Sequence, residues 1–344
     1  MTMKFFSHIG LDIGSSTVKL VQLGKSGGQF HLEAIAIAQT PQGLEGVSRD
    51  AAEIDVVKKL AKDSGASSKQ VAVSLPEAQV YTRVIEMPFL EEPDLSSTIK
   101  WQAEQYIPVP LSEVVLKHQV LNFPKTGVPG AKMAVLLVAA PRLLIDHYMS
   151  VLSRAGLEIV AIETEIFAAA RALVSTDALS PTTLLVNLGT DNTTFAVLSG
   201  GELSLTQSVG TGGMAMTRAL MSGLGVEAAQ ADQYKKVYGL DRSGLEGKVV
   251  AAVQPVIDVL AAEMKKVTAY YETRAGASPI KRVILSGGAA VMRGLVEYVA
   301  ALMNMEVQLG NPFRRMILSD RQKEAVLDAG PIFAASAGLA MKEL

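Results

Sequence analysis

The chain has 344 residues, 49% of them hydrophobic, too long for one compact core and well supplied to fill two or more. A formal net charge of −2 gives no general attraction to nucleic acid or an anionic membrane, and no basic run or interleaved aromatic stripe stands out. The absence of cysteine excludes disulfides and thiolate chemistry and fits a reducing compartment, while four scattered histidines argue against a zinc site. Met1 to His8 is too short for the apolar region of a signal peptide. The longest apolar run considered, Ala134 to Pro141, is strand-sized, far from the roughly 18 residues of a membrane span. The expectation is a soluble cytoplasmic protein.

His8 to Leu23 comes first in the chain and organises the rest. An apolar run ends in Asp12, and a β-branched, apolar run resumes from Thr17 to Leu23 and stops at Gly24-Lys-Ser-Gly-Gly28, which reads as strand, tight turn, strand. A helix-entry phosphate loop needs a helical pattern after its glycines, and Val18, Leu20, Val21 and Leu23 do not supply one. The turn is therefore a hairpin. Gly14 lets backbone approach a ligand, and the amides and hydroxyls of Ser15, Ser16 and Thr17 are donors suited to phosphate. Asp12, at a strand end, can hold a hydrated Mg²⁺, and Lys19 can return along the hairpin to meet phosphate charge. An ordinary hairpin with a solvated Asp and Lys has the same pattern, and this stretch alone leaves both open.

A third strand follows (Gln29 to Ile37), then a loop from Thr40 to Gly46, an amphipathic helix from about Asp50 to Asp63, and a buried strand, Val71 to Leu75, closed by Pro76. From Val80 the pattern changes to strand (Val80 to Met87), helix (Asp94 to Tyr106), strand (Val114 to Phe123), a Pro/Gly loop (Pro124 to Gly130), strand (Met133 to Ala139) and helix (Leu143 to Ala155). This β-α-β-β-α block has the form of a small inserted domain. Leu157 to Ile162 resumes the earlier strand type, and Glu163 to Leu173 is a helix with carboxylates at its start.

The opening then repeats. Leu184 to Leu198 has the same strand, glycine turn, strand form, and an offset of 175 residues places Gly189 on Gly14 and Asn187 on Asp12. Another alternating strand, Leu203 to Val209, follows. Internal similarity at half the length predicts two lobes that face each other, so that the two hairpins pinch one ligand. The remainder is mainly helical: Met214 to Met221, Ala228 to Val237 and Val253 to Arg274. Lys281 to Gly288 is a strand running into Gly287-Gly288, with a helix predicted from Val291 to Asn304. Such a turn admits a planar base against bare backbone, and it is equally a tight strand-to-helix connection. Ile332 to Met341 is a small-residue helix suited to close packing.

Asp12-x-Gly14 with Lys19, the helix after Leu157 to Ile162, the second glycine hairpin, Ser286-Gly-Gly288 and a terminal Ala/Gly helix stand in one order that resembles the actin-like ATPase superfamily. The resemblance implies an α/β, two-lobe fold of duplicated ribonuclease-H-like units. Its two phosphate loops, connecting helices and adenosine loop map onto those stretches. Gly212-Gly-Met-Ala-Met-Thr217 and Ala231 to Gly239 look like the cell-division actin FtsA and its relatives, which implies that Asp232 and Lys235 face the ribose. Gln102 to Val114, Glu163 to Ala168 and Glu263 to Tyr271 resemble the PilM family of type IV pilus assembly proteins. The implied division is 1–79 with 157–180 as first lobe, 80–156 as an inserted SHS2-like subdomain, and 181–344 as second lobe, with 226–279 mainly helical and 331–344 the connecting helix.

The resemblance implies ATP and Mg as ligands, with Asp12, Gly14, Ser15, Ser16, Thr17, Lys19, Gly189, Thr190, Gly212, Gly213, Asp232, Lys235, Gly287 and Gly288 around the nucleotide and Mg held by Asp12 through water. One position departs from the superfamily, whose second phosphate loop usually carries an aspartate where this chain has Asn187. An amide hydrogen-bonds a metal-bound water but takes no proton, so binding is expected to survive where hydrolysis suffers, and Glu165 is the carboxylate left to orient water. FtsA ends in an amphipathic membrane helix and this sequence stops after the connecting helix, so the membrane is expected to be reached through a partner. The family implies the cytoplasmic N-terminal peptide of PilN, docking beside the insert in a groove placed between it and the first lobe; the large apolar groups on different faces of the helix Asp94 to Tyr106 make Ile99, Trp101 and Tyr106 the expected anchors. Trp101 as plain core is the alternative. A slow ATPase and FtsA-type self-association into filaments are the competing readings of function.

Overall fold

The computed structural model describes residues 7–122, 132–177, 179–274, 276–326 and 329–344, so the Pro/Gly loop expected over 124–130 lies outside the described residues. The first lobe is built from β1 (Ile9–Ile13), β2 (Thr17–Ser26), β3 (Gln29–Gln39), α1 (Gly46–Asp63) and β4 (Gln70–Leu75). The insert follows as β5 (Tyr81–Pro88), α2 (Glu92–Glu104), β6 (Val114–Asn122) and β7 (Lys132–Pro141). The chain returns through α3 (Arg142–Arg154), β8 (Glu158–Thr164) and α4 (Glu165–Leu173). The second lobe comprises β9 (Thr183–Leu188), β10 (Thr193–Ser199), β11 (Glu202–Val209), α5 (Gly213–Leu224), α6 (Ala228–Val237), α7 (Lys248–Glu272), β12 (Arg282–Ser286), α8 (Leu295–Met303), β13 (Glu306–Leu309), α9 (Asp320–Val326) and α10 (Ala334–Ala340).

The two main sheets are copies of one another, ordered β3-β2-β1-β4-β8 and β11-β10-β9-β12-β13. In each, an antiparallel three-strand meander joins a parallel pair at its first strand. One face of the first sheet buries Ile9, Leu11, Val71 and Val73 against Val57 and Leu60 of α1. One face of the second buries Leu184, Val186, Phe195 and Val197 against Met216 and Leu220 of α5 and Val253, Ile257, Leu260 and Met264 of α7. Each fully buried Val, Leu, Ile or Phe contributes about 1.5–3 kcal/mol, so each lobe has a core of its own.

The opposite faces of the sheets pack on α4 and α10, which lie together between the lobes. These helices approach so closely because they carry small residues: a Cβ on Gly338 would fall 1.7 Å from the Ala168 carbonyl oxygen. This is the close packing that the Ala/Gly run predicts. Glu163, expected to open α4, instead ends β8, where its ladder partner is Ser74 of β4 and where Arg171 and Lys342 pair with it.

The insert is a three-strand sheet, β5-β7-β6, with both faces covered. Alternation along β7 sends Val135, Leu137 and Ala139 against Leu95, Ile99 and Ala103 of α2, and Leu136 toward Ile166 of α4 and Leu185 and Ala196 of the second sheet. Arg274, just past α7, donates to the Ser204 carbonyl (2.7 Å) and to Glu86 (2.5 Å), tying β11 of the second lobe to β5 of the insert. Residues 80–156 end in α3, yet Tyr148 and Leu152 of α3 are buried in the core of the first sheet. α7 begins five residues before the expected Val253 and runs through Pro255. α8 starts at Leu295 rather than Val291, with turns filling the gap after the double glycine.

Candidate functional site

The first hairpin sets the chemistry of the cleft between the lobes. Asp12 and Lys19 are direct cross-strand partners, and their ion pair closes at 2.8 Å with both side chains nearly buried. Ser74, at the end of β4, donates to the other Asp12 oxygen at 2.9 Å. Behind the turn every carbonyl is engaged: Gly14 O by the Thr40 hydroxyl (2.6 Å), Ser15 O by the Gln42 amide (2.6 Å), Ser16 O by the Thr40 N–H (2.9 Å) and Thr17 O by the Gly14 N–H (3.0 Å). With each of these carbonyls already accepting a hydrogen bond, the loop offers a ligand mainly N–H and hydroxyl donors, which suits an anion.

The second hairpin repeats this geometry without the charge. Asn187 pairs across the strands with Thr194, as Asp12 does with Lys19, and the Gly189 N–H donates to Asn192 O (2.9 Å), as Gly14 does to Thr17. The β4 serine has its counterpart too, for Ser286 at the end of β12 donates to Asn187 Oδ1 at 3.2 Å. That contact leaves the Asn187 amide to present N–H, a donor where the equivalent aspartate would be an acceptor. The Gly189 and Thr190 carbonyls accept from the first N–H groups of α5, Gly213 (2.9 Å) and Met214 (2.7 Å).

The remaining predicted residues gather around one cleft of about 1410 Å³, whose lining includes Asp12, Gly14, Ser15, Ser16, Thr17, Lys19, Glu165, Asn187, Gly189, Thr190, Gly213, Asp232, Lys235, Gly287 and Gly288. Gly212 is set behind it, as the residue that caps α5. Gly287 has φ +89°, and a Cβ there would stand 2.4 Å from Leu188 O. A Cβ on Gly288 would meet nothing within 4 Å, which leaves bare backbone on the cleft wall where a planar group can lie. Lys235 commits its ammonium to Asp232 (2.8 Å), the Thr217 hydroxyl (2.8 Å) and Gly213 O (3.2 Å), so it braces the wall and fixes Asp232. Lys236 pairs with the other Asp232 oxygen at 2.6 Å and is the more exposed cation at this edge. Burial alone would raise the Asp232 carboxyl, but hydrogen bonds from both lysines hold it below the usual carboxylate range.

Glu165, first residue of α4, faces the same cleft. Desolvation, then the charge of Asp12, push its carboxyl up to about 8, with Lys19 opposing. The Tyr148 hydroxyl is pushed up by burial and by the nearby Glu165, Asp12 and Glu53 carboxylates. A hard cation with oxygen ligands fits this donor set: each Asp12 oxygen keeps lone-pair capacity beside its one hydrogen bond, and a divalent charge would relieve the crowding with Glu165. Among the described residues no group of three or more His, Asp or Glu side chains is placed to hold a metal by itself, so such a cation would complete its shell with water and phosphate.

Sequence reasoning missed Ser74, Thr40, Gln42, Thr217 and Lys236. Only Ser74 carried a signal, as a serine inside the buried run Val71 to Leu75.

The insert residues separate. Ile99 is 2% exposed, on the face of α2 that covers the β5-β7-β6 sheet, so it belongs to the core of the insert and not to a partner surface. Trp101 is 61% exposed, which excludes the core alternative. Tyr106 is half-exposed and carries the Arg83 guanidinium over its ring at 4.3 Å. It lines a second cleft, bounded by the insert, by Glu77 and Val80 of the preceding turn, and by Thr206 to Ser208 of β11. The second lobe thus forms one wall of this cleft.

A family model described as type IV pilus assembly protein PilM matches residues 10–344. The structure of a PilM–PilN type IV pilus biogenesis complex is similar, with 26% identity, coverage of 97% of both chains and a TM-score of 0.84. The cell division protein FtsA of Rhizobium meliloti (strain 1021) is 25% identical over 96% of this chain and 85% of its own length. MreB5 of Spiroplasma citri, bound to AMPPNP, shares the fold at 12% identity, with 97% of this chain and 95% of that one covered and a TM-score of 0.52. The two-lobe architecture is actin-like, as the resemblance implied.

Proposed function

The chain belongs to the PilM family of type IV pilus assembly proteins, and from that premise we propose that it is an ATP-binding adaptor. It holds Mg-ATP between its two glycine hairpins with little or no turnover, and it docks the cytoplasmic N-terminal peptide of PilN beside its insert. The observation that carries the nucleotide reading is the charge asymmetry of two otherwise equivalent hairpins: an Asp12–Lys19 pair on one side, Asn187 and Thr194 on the other.

Phosphates would lie between the donor-rich loops, with the adenine against Gly288 and the ribose at Asp232. Magnesium, when bound through water to Asp12, neutralises phosphate charge. On the second hairpin Asn187 adds a donor to the phosphates and supplies no base. Glu165 is the carboxylate that remains, and losing a general base costs about 10²–10⁴-fold in rate, which turns a hydrolase into a binder. The partner reading is supported by the PilM–PilN complex to which this chain is similar and by the exposed Trp101 and Tyr106. No helix among the described residues is long and apolar enough to cross a membrane.

The test pairs equilibrium binding of a fluorescent ATP analogue with a coupled phosphate-release assay. Mg-dependent binding with release far below the usual range of about 1–10³ per second is expected. Release within that range overturns the adaptor reading.

A further inference from the structure

At the second-lobe end of the main cleft the polar side chains are spent on one another. An ammonium has three N–H donors, and those of Lys235 go to Asp232 (2.8 Å), the Thr217 hydroxyl (2.8 Å) and Gly213 O (3.2 Å). The Thr217 hydroxyl in turn donates to Gly213 O at 3.1 Å, so it both gives and receives within the fold. Each Asp232 oxygen is paired with a lysine. The backbone of the turn after β12 is engaged in the same way. The N–H groups of Gly287, Ala289, Ala290 and Met292 donate to Pro331 O (2.8 Å), Leu188 O (3.1 Å), Gly287 O (3.2 Å) and Ala289 O (3.3 Å).

What this end leaves to a ligand is mainly apolar surface and the bare backbone at Gly288. Ala228 and Ala229 at the start of α6, and Ala289, Val291 and Met292 after the double glycine, line the cleft there. Adenine carries an amino donor where guanine carries a carbonyl acceptor, so a site tells the two apart by polar groups aimed at that edge. A site built to hydrogen-bond one group rejects the analogue lacking it by about 10⁴–10⁵, whereas apolar contact discriminates far less. Ring faces, by contrast, are common to every nucleobase, and a methionine side chain adapts to whichever lies on it. Among the described lining residues at this end, Lys236 is the side chain with donors to spare, and it stands exposed at the edge beside Asp232.

We propose that this end of the cleft selects for a planar purine ring and not for adenine, so that GTP binds about as well as ATP. This rests on the nucleotide reading above and names the class of ligand that the site takes, the purine nucleoside triphosphates. Selectivity against other molecules comes from the donor-rich hairpins at the phosphates and from Asp232 at the ribose, while the ring adds affinity by contact with Gly288 and Met292.

The experiment is calorimetric titration of the full chain with ATP, GTP and inorganic tripolyphosphate, each with Mg²⁺, for wild type, Gly288→Val and Lys236→Ala, with thermal unfolding of each protein. Wild type should bind ATP and GTP with Kd values within about tenfold of each other, and both more tightly than tripolyphosphate. Gly288 lies outside the left-handed region and a Cβ there meets nothing, so Gly288→Val should fold with an unchanged midpoint. Its branched side chain fills the bare wall and should weaken ATP and GTP by the same factor, at least about tenfold, with tripolyphosphate unaffected. Lys236→Ala should leave the ratio of the two purines unchanged. A wild-type preference of more than about tenfold for either purine would overturn the proposal and leave the nucleotide reading standing. A ratio that shifts in Lys236→Ala would make that lysine a reader of the ring edge and overturn it too. Equal ATP affinity in wild type and Gly288→Val would put the ring elsewhere, with the same consequence. No binding of either nucleotide to wild type would overturn both readings.

Discussion

Glu77, buried in the turn between β4 and β5, sets a pH dependence that the nucleotide-free protein should show. Burial pushes its carboxyl from the ordinary 4.5 to about 7, against smaller opposing contributions from the hydroxyls of Thr82 and Thr164 and the backbone of Ile166. The native state therefore keeps a proton that the unfolded chain gives up, and stability falls as pH rises wherever the native state binds more protons. The contribution is complete below the unfolded value of 4.5 and is lost as pH rises through about 7. At 1.36 kcal/mol per pH unit, the difference amounts to about 3 kcal/mol. Glu77→Gln keeps the shape and has no proton to lose. Urea unfolding of both proteins from pH 5 to pH 8, followed by Trp101 fluorescence and far-ultraviolet circular dichroism, should show wild type losing about 2.5 kcal/mol more than the variant. Glu165 is also pushed up, in part by the charge of Glu77, so the difference reports Glu77 together with its coupling to Glu165. Parallel stability curves would refute the reasoning and mean that Glu77 is solvated in solution.

Three further changes probe the nucleotide cleft, the helix crossing and the insert. Asn187→Asp restores an acidic group on the second hairpin and should raise phosphate release by about 10²-fold or more; an unchanged rate would show that Asn187 is not what limits turnover. Gly338→Val drives side-chain atoms into the Ala168 backbone and should cost at least about 1–3 kcal/mol in a denaturant titration, whereas wild-type stability would mean that α4 and α10 separate readily. Trp101→Ala should change stability by less than about 0.5 kcal/mol, because the side chain is exposed, yet weaken the PilN peptide by about 2 kcal/mol. Peptide affinity unaffected by that substitution would move the docking surface away from α2.

The duplicated core was legible because its signals are local. Two short strands around a glycine turn, repeated 175 residues apart, placed Asn187 on the position of Asp12, and in the structure the two are equivalent, Asp12 opposite Lys19 and Asn187 opposite Thr194. Ile99 was misplaced for the opposite reason: which face of α2 covers the insert sheet depends on how the sheet lies on the second lobe, and the helix has apolar residues on more than one face. The supports of the phosphate loop were equally hidden. Thr40, Gln42 and Ser74 reach Asp12 and the turn from elsewhere in the chain, so no motif links them to it. Lys235 could be placed on the cleft from its resemblance to FtsA, but its capture by Thr217 and Gly213, which leaves Asp232 to face the ligand, depends on the packing of α6 against α5.

The central claim is that the cleft holds Mg-ATP through the charged first hairpin. Calorimetric titration of ATP into the wild type and Asp12→Ala, with and without Mg²⁺, tests it most directly. Wild type should bind ATP more tightly with magnesium than without. Asp12→Ala should lose most of that magnesium dependence, a difference of about 1.5–3 kcal/mol, roughly 10- to 100-fold in Kd. Tight Mg-ATP binding unchanged by Asp12→Ala, or no binding by wild type at millimolar ATP, would contradict the assignment.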